Sequence, residues 1–129
     1  MRPNEVSYRV IGAAMKVHSA LGAGLLESVY DKYLCHELTR IGMQFQHHVR
    51  LAVNHDGVKL SPAYTIDFIV EKCLVVEIKS VEKVLPVHRA QLLSYLKLTG
   101  LPLGLLINFN VPHLRDGIHR VINAPEEEL

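Results

Sequence analysis

From Tyr64 to Ser80 the chain reads YTIDFIVEKCLVVEIKS, two apolar runs that carry very few charges. Outside Glu71-Lys72 those charges are Asp67, Glu77 and Lys79. Side chains alternate between faces along a strand, so Glu77 and Lys79 share a face and Ile78 takes the other. A three-residue hairpin loop at Glu71, Lys72 and Cys73 pairs Val70 with Leu74, sets Asp67 opposite Glu77 and sets Thr65 opposite Lys79. The two carboxylates are then roughly 5 Å apart at Cβ. Carboxylates this close raise one another's pKa unless a cation lies between them. A hard divalent ion, Mg²⁺ or Mn²⁺, suits that gap, with phosphate oxygens and waters completing its shell. Lys79 can neutralise charge on a phosphate or help to activate a water, so the constellation reads as metal-assisted phosphodiester hydrolysis. The alternative is an exposed hairpin with a Glu-Lys pair on its polar face. A register shift of one residue would put the acids on opposite faces.

The segment that follows, PVHRAQLLSYLKLT, reads as a helix over 86–99, with Pro86 in its first turn and Gly100 after its last. Ala90, Leu93, Leu96 and Lys97 trace one stripe, and His88, Gln91 and Tyr95 trace its neighbour. A helix placed here packs back on the sheet, so the second stripe either overhangs Lys79 or lies along a solvated edge.

Asp67, then Glu77-Ile78-Lys79, then Gln91-Leu92-Leu93-Ser94-Tyr95 resembles the D…(D/E)xK…QxxxY series of the PD-(D/E)XK nuclease superfamily, in its RecB-like exonuclease branch. Upstream, Gly24-Leu25-Leu26-Glu27-Ser28-Val29-Tyr30 matches the signature that names the GxxExxY proteins, which are placed in that superfamily. The similarity runs from the first helix through LPLGLLINFN. It implies an α/β fold with a restriction-endonuclease-like core, a mixed central β-sheet flanked by helices. It also implies that Asp67 and Glu77 are metal ligands with Glu27 nearby, that Lys79 is the catalytic lysine, and that Gln91 and Tyr95 are a supporting pair. His18, in KVHSALGAGLLE, either corresponds to a histidine that some RecB-like enzymes place ahead of their acidic motifs or packs a helix. Ile66 stands where the proline of the superfamily name would be. The implied activity is a Mg²⁺- or Mn²⁺-dependent nuclease acting on nucleic acid, with DNA favoured over RNA. A homodimer or protein partner is left open, and the competing reading is a catalytically silent nucleic-acid-binding or protein-interaction module that keeps the fold.

The elements that must position these residues follow from pattern. Asn4 caps a first helix over 5–21, with Val6, Val10, Ala14, Val17 and Leu21 on its apolar side; the Gly22-Ala23-Gly24 break leads into a second helix over 25–41, ended by Gly42. Phe45 to Asn54 alternates as a half-buried strand, and His55-Asp56-Gly57 turns it into a short strand over 58–60. Leu103 to Phe109 fits a strand buried on both faces. His113 to Val121 reads as a short terminal helix, and Glu126-Glu127-Glu128 as a solvated tail.

At 129 residues, 49% hydrophobic and 21% charged, the chain suits a single domain over 1–129. The N-terminal residues lack the apolar core of a signal peptide and no apolar run reaches the roughly 18 residues of a membrane span, so a cytoplasmic protein without membrane association is expected. Cys35 and Cys73 lack CxxC spacing and read as buried thiols. The eight histidines show no ligand spacing; adjacent His47 and His48 should point to opposite faces of a strand, so no histidine zinc centre is expected. No GxSxG or GxxxxGK loop is present, which excludes serine-hydrolase and phosphate-loop readings. Net charge is only +1, but Lys72, Lys79, Lys83, Arg89 and Lys97 outnumber Glu77 and Glu82 around the proposed site, which suits modest, salt-sensitive phosphate contacts.

Overall fold

A computed structural model describes the backbone of residues 1–129 and the side chains of all but residues 62 and 63. Helix α1 spans Pro3–Leu21 and buries Val6, Val10, Ala13, Ala14 and Val17, a stripe at helical spacing. It begins earlier than expected: Pro3 takes the first helical position, which its fixed φ suits, and the side chain of Asn4 accepts from Arg120 instead of capping. Helix α2, Glu27–Arg40, buries Tyr30, Leu34 and Leu38. Gly42, at φ 76°, follows its end, and Met43 N–H closes back on the Leu38 carbonyl at 3.0 Å.

Five strands form one sheet in the order β1-β2-β3-β4-β5: β1 Phe45–His55, β2 Val58–Val70, β3 Leu74–Lys79, β4 Leu103–Asn108 and β5 Ile118–Ile122. Asp56 and Gly57, both at positive φ, make the β1–β2 turn. The two segments expected over 58–60 and 64–70 are one strand, whose pairing with β1 shifts between Leu51 and Val53. Strand β3 pairs antiparallel with β2 and parallel with β4, so the sheet is mixed, and helix α3, Pro86–Thr99, makes the crossover that a parallel pair requires. Its bounds are those expected, with Gly100 left-handed at φ 74° behind it.

The sheet separates two cores. Phe68, Val70, Leu74, Val76, Ile78, Leu103, Leu105, Ile107 and Phe109 pack with α1 and α2. On the opposite side, Ile69, Val75, Leu106 and Val121 pack with Leu92, Tyr95 and Leu96 of α3. The buried stripe of α3 is therefore Leu92, Tyr95 and Leu96, while Ala90 and Lys97 are exposed. The larger apolar area of Leu92 and the Tyr95 ring, which Ala90 and Lys97 cannot match, fixes the rotation of the helix.

Two C-terminal expectations are corrected. Residues 118–122 form strand β5 rather than the end of a helix, with only a 3-10 turn at Leu114–Gly117. Leu114, Ile118 and Val121 do recur at helical spacing, but the free edge of β4 needs backbone partners, and β-branched Ile118, Val121 and Ile122 supply them. The acidic end is not a free tail: Glu126–Glu128 form a 3-10 turn, Leu129 is buried, and its carbonyl accepts from Asn4 N–H at 2.9 Å. Cys35 and Cys73 are unpaired and half-buried.

Two glycines in this frame have opposite sensitivities. A Cβ on Gly117 would lie 2.0 Å from the Asn108 carbonyl oxygen, whereas one on helical Gly12 would meet nothing within 4 Å. Gly117→Ala should destabilise by about 1–3 kcal/mol, and Gly12→Ala should stabilise by about 0.5–1 kcal/mol. Thermal unfolding of both variants checks this; Gly117→Ala melting at the wild-type temperature would contradict the close approach of residues 108 and 117.

Candidate active site

The β2–β3 loop is the three-residue turn expected, with Val70 opposite Leu74 and Cys73 N–H on the Val70 carbonyl at 3.1 Å. Glu71 and Lys72 adopt left-handed conformations, φ 49° and 57°. The ladder runs through Ile69–Val75 to Phe68–Val76, one step short of Asp67 and Glu77. There the Asp67 side chain takes the backbone's place: Oδ2 accepts from the Ile78 N–H at 2.7 Å. The β2–β3 opening is thus bridged by a carboxylate, which fixes the orientation of that carboxylate.

Glu77 faces Asp67 and is nearly inaccessible, 6% exposed at the centre of the sheet. Burial first, then the Asp67 charge and a hydrogen bond between the two carboxyls, push the Glu77 pKa up to about 9; Lys79 pulls the other way. Without a cation the pair therefore holds a proton at neutral pH. Glu77 Oε1 is buried with no hydrogen-bond partner among the described residues, and an orphaned buried carboxyl oxygen is costly. Facing carboxyls with an unpaired buried oxygen form the donor set that a hard divalent ion satisfies. The residues present fit such an ion.

Three further contacts hold this end of the sheet. Lys79, half-buried, stands beside Asn108 of β4. Asn108, itself buried, accepts from Val81 N–H at 3.1 Å and donates to the Val81 carbonyl at 2.9 Å, which pins the chain just beyond Lys79. Ser80 donates to the Leu25 carbonyl at 2.6 Å, tying β3 to the loop before α2. That loop is held in turn by Tyr30, whose hydroxyl donates to the Gly22 carbonyl at 2.6 Å and accepts from Leu25 N–H at 3.1 Å, and whose ring stacks on Phe109 at 4.5 Å. Gly24, at φ 91°, permits the turn. The result sets Glu27 on the first turn of α2, within electrostatic range of the pair. Burial raises its pKa, Lys79 lowers it, and Asp67 and Asp31 raise it again.

The expected residues do not all converge. Tyr95, 5% exposed, reaches the site from α3: burial, then Glu77, Tyr64 and Asp67, push its phenol up to about 12, and its ring lies 5.8 Å from that of Tyr64. Gln91 is exposed and makes no side-chain hydrogen bond among the described residues. His88 serves the helix start, its Nδ1 accepting from Leu85 N–H at 3.0 Å. His18 stands apart; its Nε2 is 2.8 Å from the Val111 carbonyl, and it lines a hollow with Pro112 and Arg115 instead of the cavity at Glu27. Asn108 and Ser80 were not singled out by sequence. Their signal was position alone, polar residues at the ends of two apolar strands.

The histidine pair departs most from expectation. Glu27, Asp31, His47, His48 and Asp67 line one cavity of about 490 Å³. His47 and His48 do not point to opposite faces: their rings stack at 3.7 Å, and their Nε2 atoms lie 2.6 and 3.3 Å from Asp31 Oδ1. His48 adopts φ 54°, which turns its side chain to the side of its neighbour while the β1–β2 register is unchanged across it. Strand alternation assumes extended backbone, and a left-handed residue breaks it.

Among comparisons with known proteins, a family model described as PD-(D/E)XK nuclease superfamily matches residues 4–121. No curated protein and no solved structure matches the chain. No helix among the described residues is long and apolar enough to cross a membrane.

Glu77 predicts a pH dependence whose sign is fixed. Its carboxyl binds a proton in the folded chain up to about pH 9, whereas unfolded it ionises near 4.5, so between those values the folded state holds more protons and stability falls as pH rises. Metal-free protein should therefore melt lower at the alkaline end of that window. Glu77→Gln should flatten the slope and raise the alkaline melting temperature. Stability that climbs with pH across this interval in the wild type would show that the carboxyl is not held protonated.

Proposed function

The chain belongs to the PD-(D/E)XK nuclease superfamily, and from that premise we propose that it is a divalent-metal-dependent nuclease whose working groups are Asp67, Glu77 and Lys79. The observation that carries the reading is the facing pair of half-buried Asp67 and buried Glu77, which shares a proton when no cation is present and keeps one Glu77 oxygen without a partner among the described residues, set beside a lysine at the end of the same strand. Asp67 and Glu77, with Glu27 at the cavity wall, are the residues that would hold Mg²⁺ or Mn²⁺. When bound, such an ion supplies positive charge at the scissile phosphate and a water of lowered pKa.

The chain's own residues divide the remaining work. Asp67 keeps one orientation because the Ile78 N–H holds Oδ2. Lys79, two residues beyond Glu77 and anchored by the Asn108 contacts to Val81, presents an ammonium to charge developing on the phosphate and to an attacking water. Tyr95, its phenol ionising only near 12, stays neutral and seals the α3 side. Gln91, exposed on the first half of α3, is left to contact the substrate rather than the protein. The finer assignment is to the RecB-like, GxxExxY group, with DNA as the preferred nucleic acid and the cytoplasm as the compartment.

The test is cleavage of labelled single- and double-stranded DNA and RNA with Mg²⁺, Mn²⁺ or EDTA. Wild type should cut at least one substrate with a divalent ion and none with EDTA. Lys79→Ala should lower the rate by about 100-fold or more, as loss of one preorganised electrostatic donor does elsewhere. Asp67→Asn should abolish cleavage. Binding without cleavage under every metal would instead favour a silent nucleic-acid-binding module.

A further inference from the structure

We propose that Asp31, His47 and His48 form a second metal site, distinct from the Asp67–Glu77 pair, that binds a borderline divalent transition metal, with Zn²⁺ the ion its ligands favour. The inference does not depend on the nuclease reading. One carboxylate oxygen from α2 and two imidazole nitrogens from β1 lie within 4.8 Å of one another. Imidazole selects zinc and its neighbours over Mg²⁺, and three protein ligands with open positions is the arrangement of zinc sites that keep water or substrate in their shell.

Three observations separate this cluster from an ordinary surface ion pair. Asp31 is 9% exposed, and its nearest cationic partners are the two histidines. His48 holds a left-handed backbone conformation, rare outside glycine, and the effect is to stack its ring, one side still open to solvent, on that of His47 and to bring its Nε2 to Asp31. Two protonated rings at 3.7 Å would repel; two neutral rings and a carboxylate sharing an ion would not. His47 is also held from beneath by Phe68, ring centroids 4.6 Å apart, which limits its rotation. The cluster opens on the cavity of about 490 Å³, where Glu27 and Asp67 add negative charge and Lys32 adds positive. A metal bound here would face that cavity.

The experiment uses chelator-treated full-length protein titrated with Co²⁺, read by its visible absorption, then displaced by Zn²⁺ in the presence of excess Mg²⁺. Wild type should bind one equivalent of Co²⁺ in this way, and Mg²⁺ should not compete. His48→Gly, which accepts the left-handed backbone and removes only the ring, should weaken binding by at least about 10-fold with unchanged circular dichroism. His47→Ala should do the same. Asp67→Asn, which removes a proposed ligand of the nuclease centre and one negative charge from the shared cavity, should retain Co²⁺ binding and weaken it less than either histidine variant, because Asp67 supplies no ligand atom to the cluster. His48→Gly binding Co²⁺ as tightly as wild type would overturn the proposal. Loss of binding in Asp67→Asn, or displacement by Mg²⁺, would overturn it equally, since either assigns the ion to the carboxyl pair.

Discussion

A buried carboxyl, Glu77, pressed against the half-buried carboxyl of Asp67 at the edge of a cavity is the constraint on which the rest of this structure depends. Asp67 and Glu77 meet where β2 and β3 cease to be a ladder, and neither side chain has an apolar reason to be there. Such a pair is tolerated only because the surrounding fold is over-determined. On one side of β3, Val76 and Ile78 lie in the larger core; on the other, Val75 packs with Leu92, Tyr95 and Leu96. With β3 gripped from both faces, Glu77 cannot swing to solvent to escape its neighbour. Strain is held at the site by hydrophobic burial elsewhere.

The spacing of Gly24, Glu27 and Tyr30 acquires a physical meaning here. Tyr30 is the anchor: wholly buried, stacked on Phe109, with its hydroxyl bonded to both sides of the loop at Gly22 and Leu25. Glu27 lies one turn earlier on the same helix and so inherits that fixed position, while Gly24 supplies the backbone turn that brings the loop round. Ser80 then bonds the Leu25 carbonyl, so the strand carrying Glu77 and Lys79 and the helix carrying Glu27 are referenced to one loop. A motif that reads as catalytic is therefore largely a positioning device, with a single carboxylate at its working end.

What could be read in the sequence was whatever local chemistry alone decides. The three-residue turn set the Asp67–Glu77 register, because a fixed loop length leaves strand alternation one solution, and Pro86 with Gly100 bounded α3. What could not be read was decided by tertiary demand. The rotation of α3 depended on which side chains offered more area to bury, and β5 on an open strand edge that no sequence window displays. His47 and His48 depart from strand alternation for a different reason. Alternation holds for extended backbone, but His48 leaves the extended region, and nothing in the residues around it signals that departure.

The charge of the cavity bears on how any nucleic acid could enter it. The chain as a whole is near neutral, yet Glu27, Asp31, Asp67 and Glu77 gather at one end of the sheet, opposed by Lys79, Lys32 and two histidines. A phosphate approaching that cluster without cations meets net repulsion at short range, where screening by salt is weakest. Each divalent ion bound reverses the local sign. Binding of metal and binding of a polyanion are then linked by a coupling free energy that must act equally in both directions, the ion tightening the strand and the strand tightening the ion. Of the basic residues expected around the site, Lys72 instead lines a separate hollow at the β2–β3 turn, so attraction at the cavity would rest on Lys32 and Lys79 and on any cation the carboxylates held. On the proposed reading, substrate and metal would be recognised as one unit, and the ion would offset the cost of burying the Glu77 carboxyl.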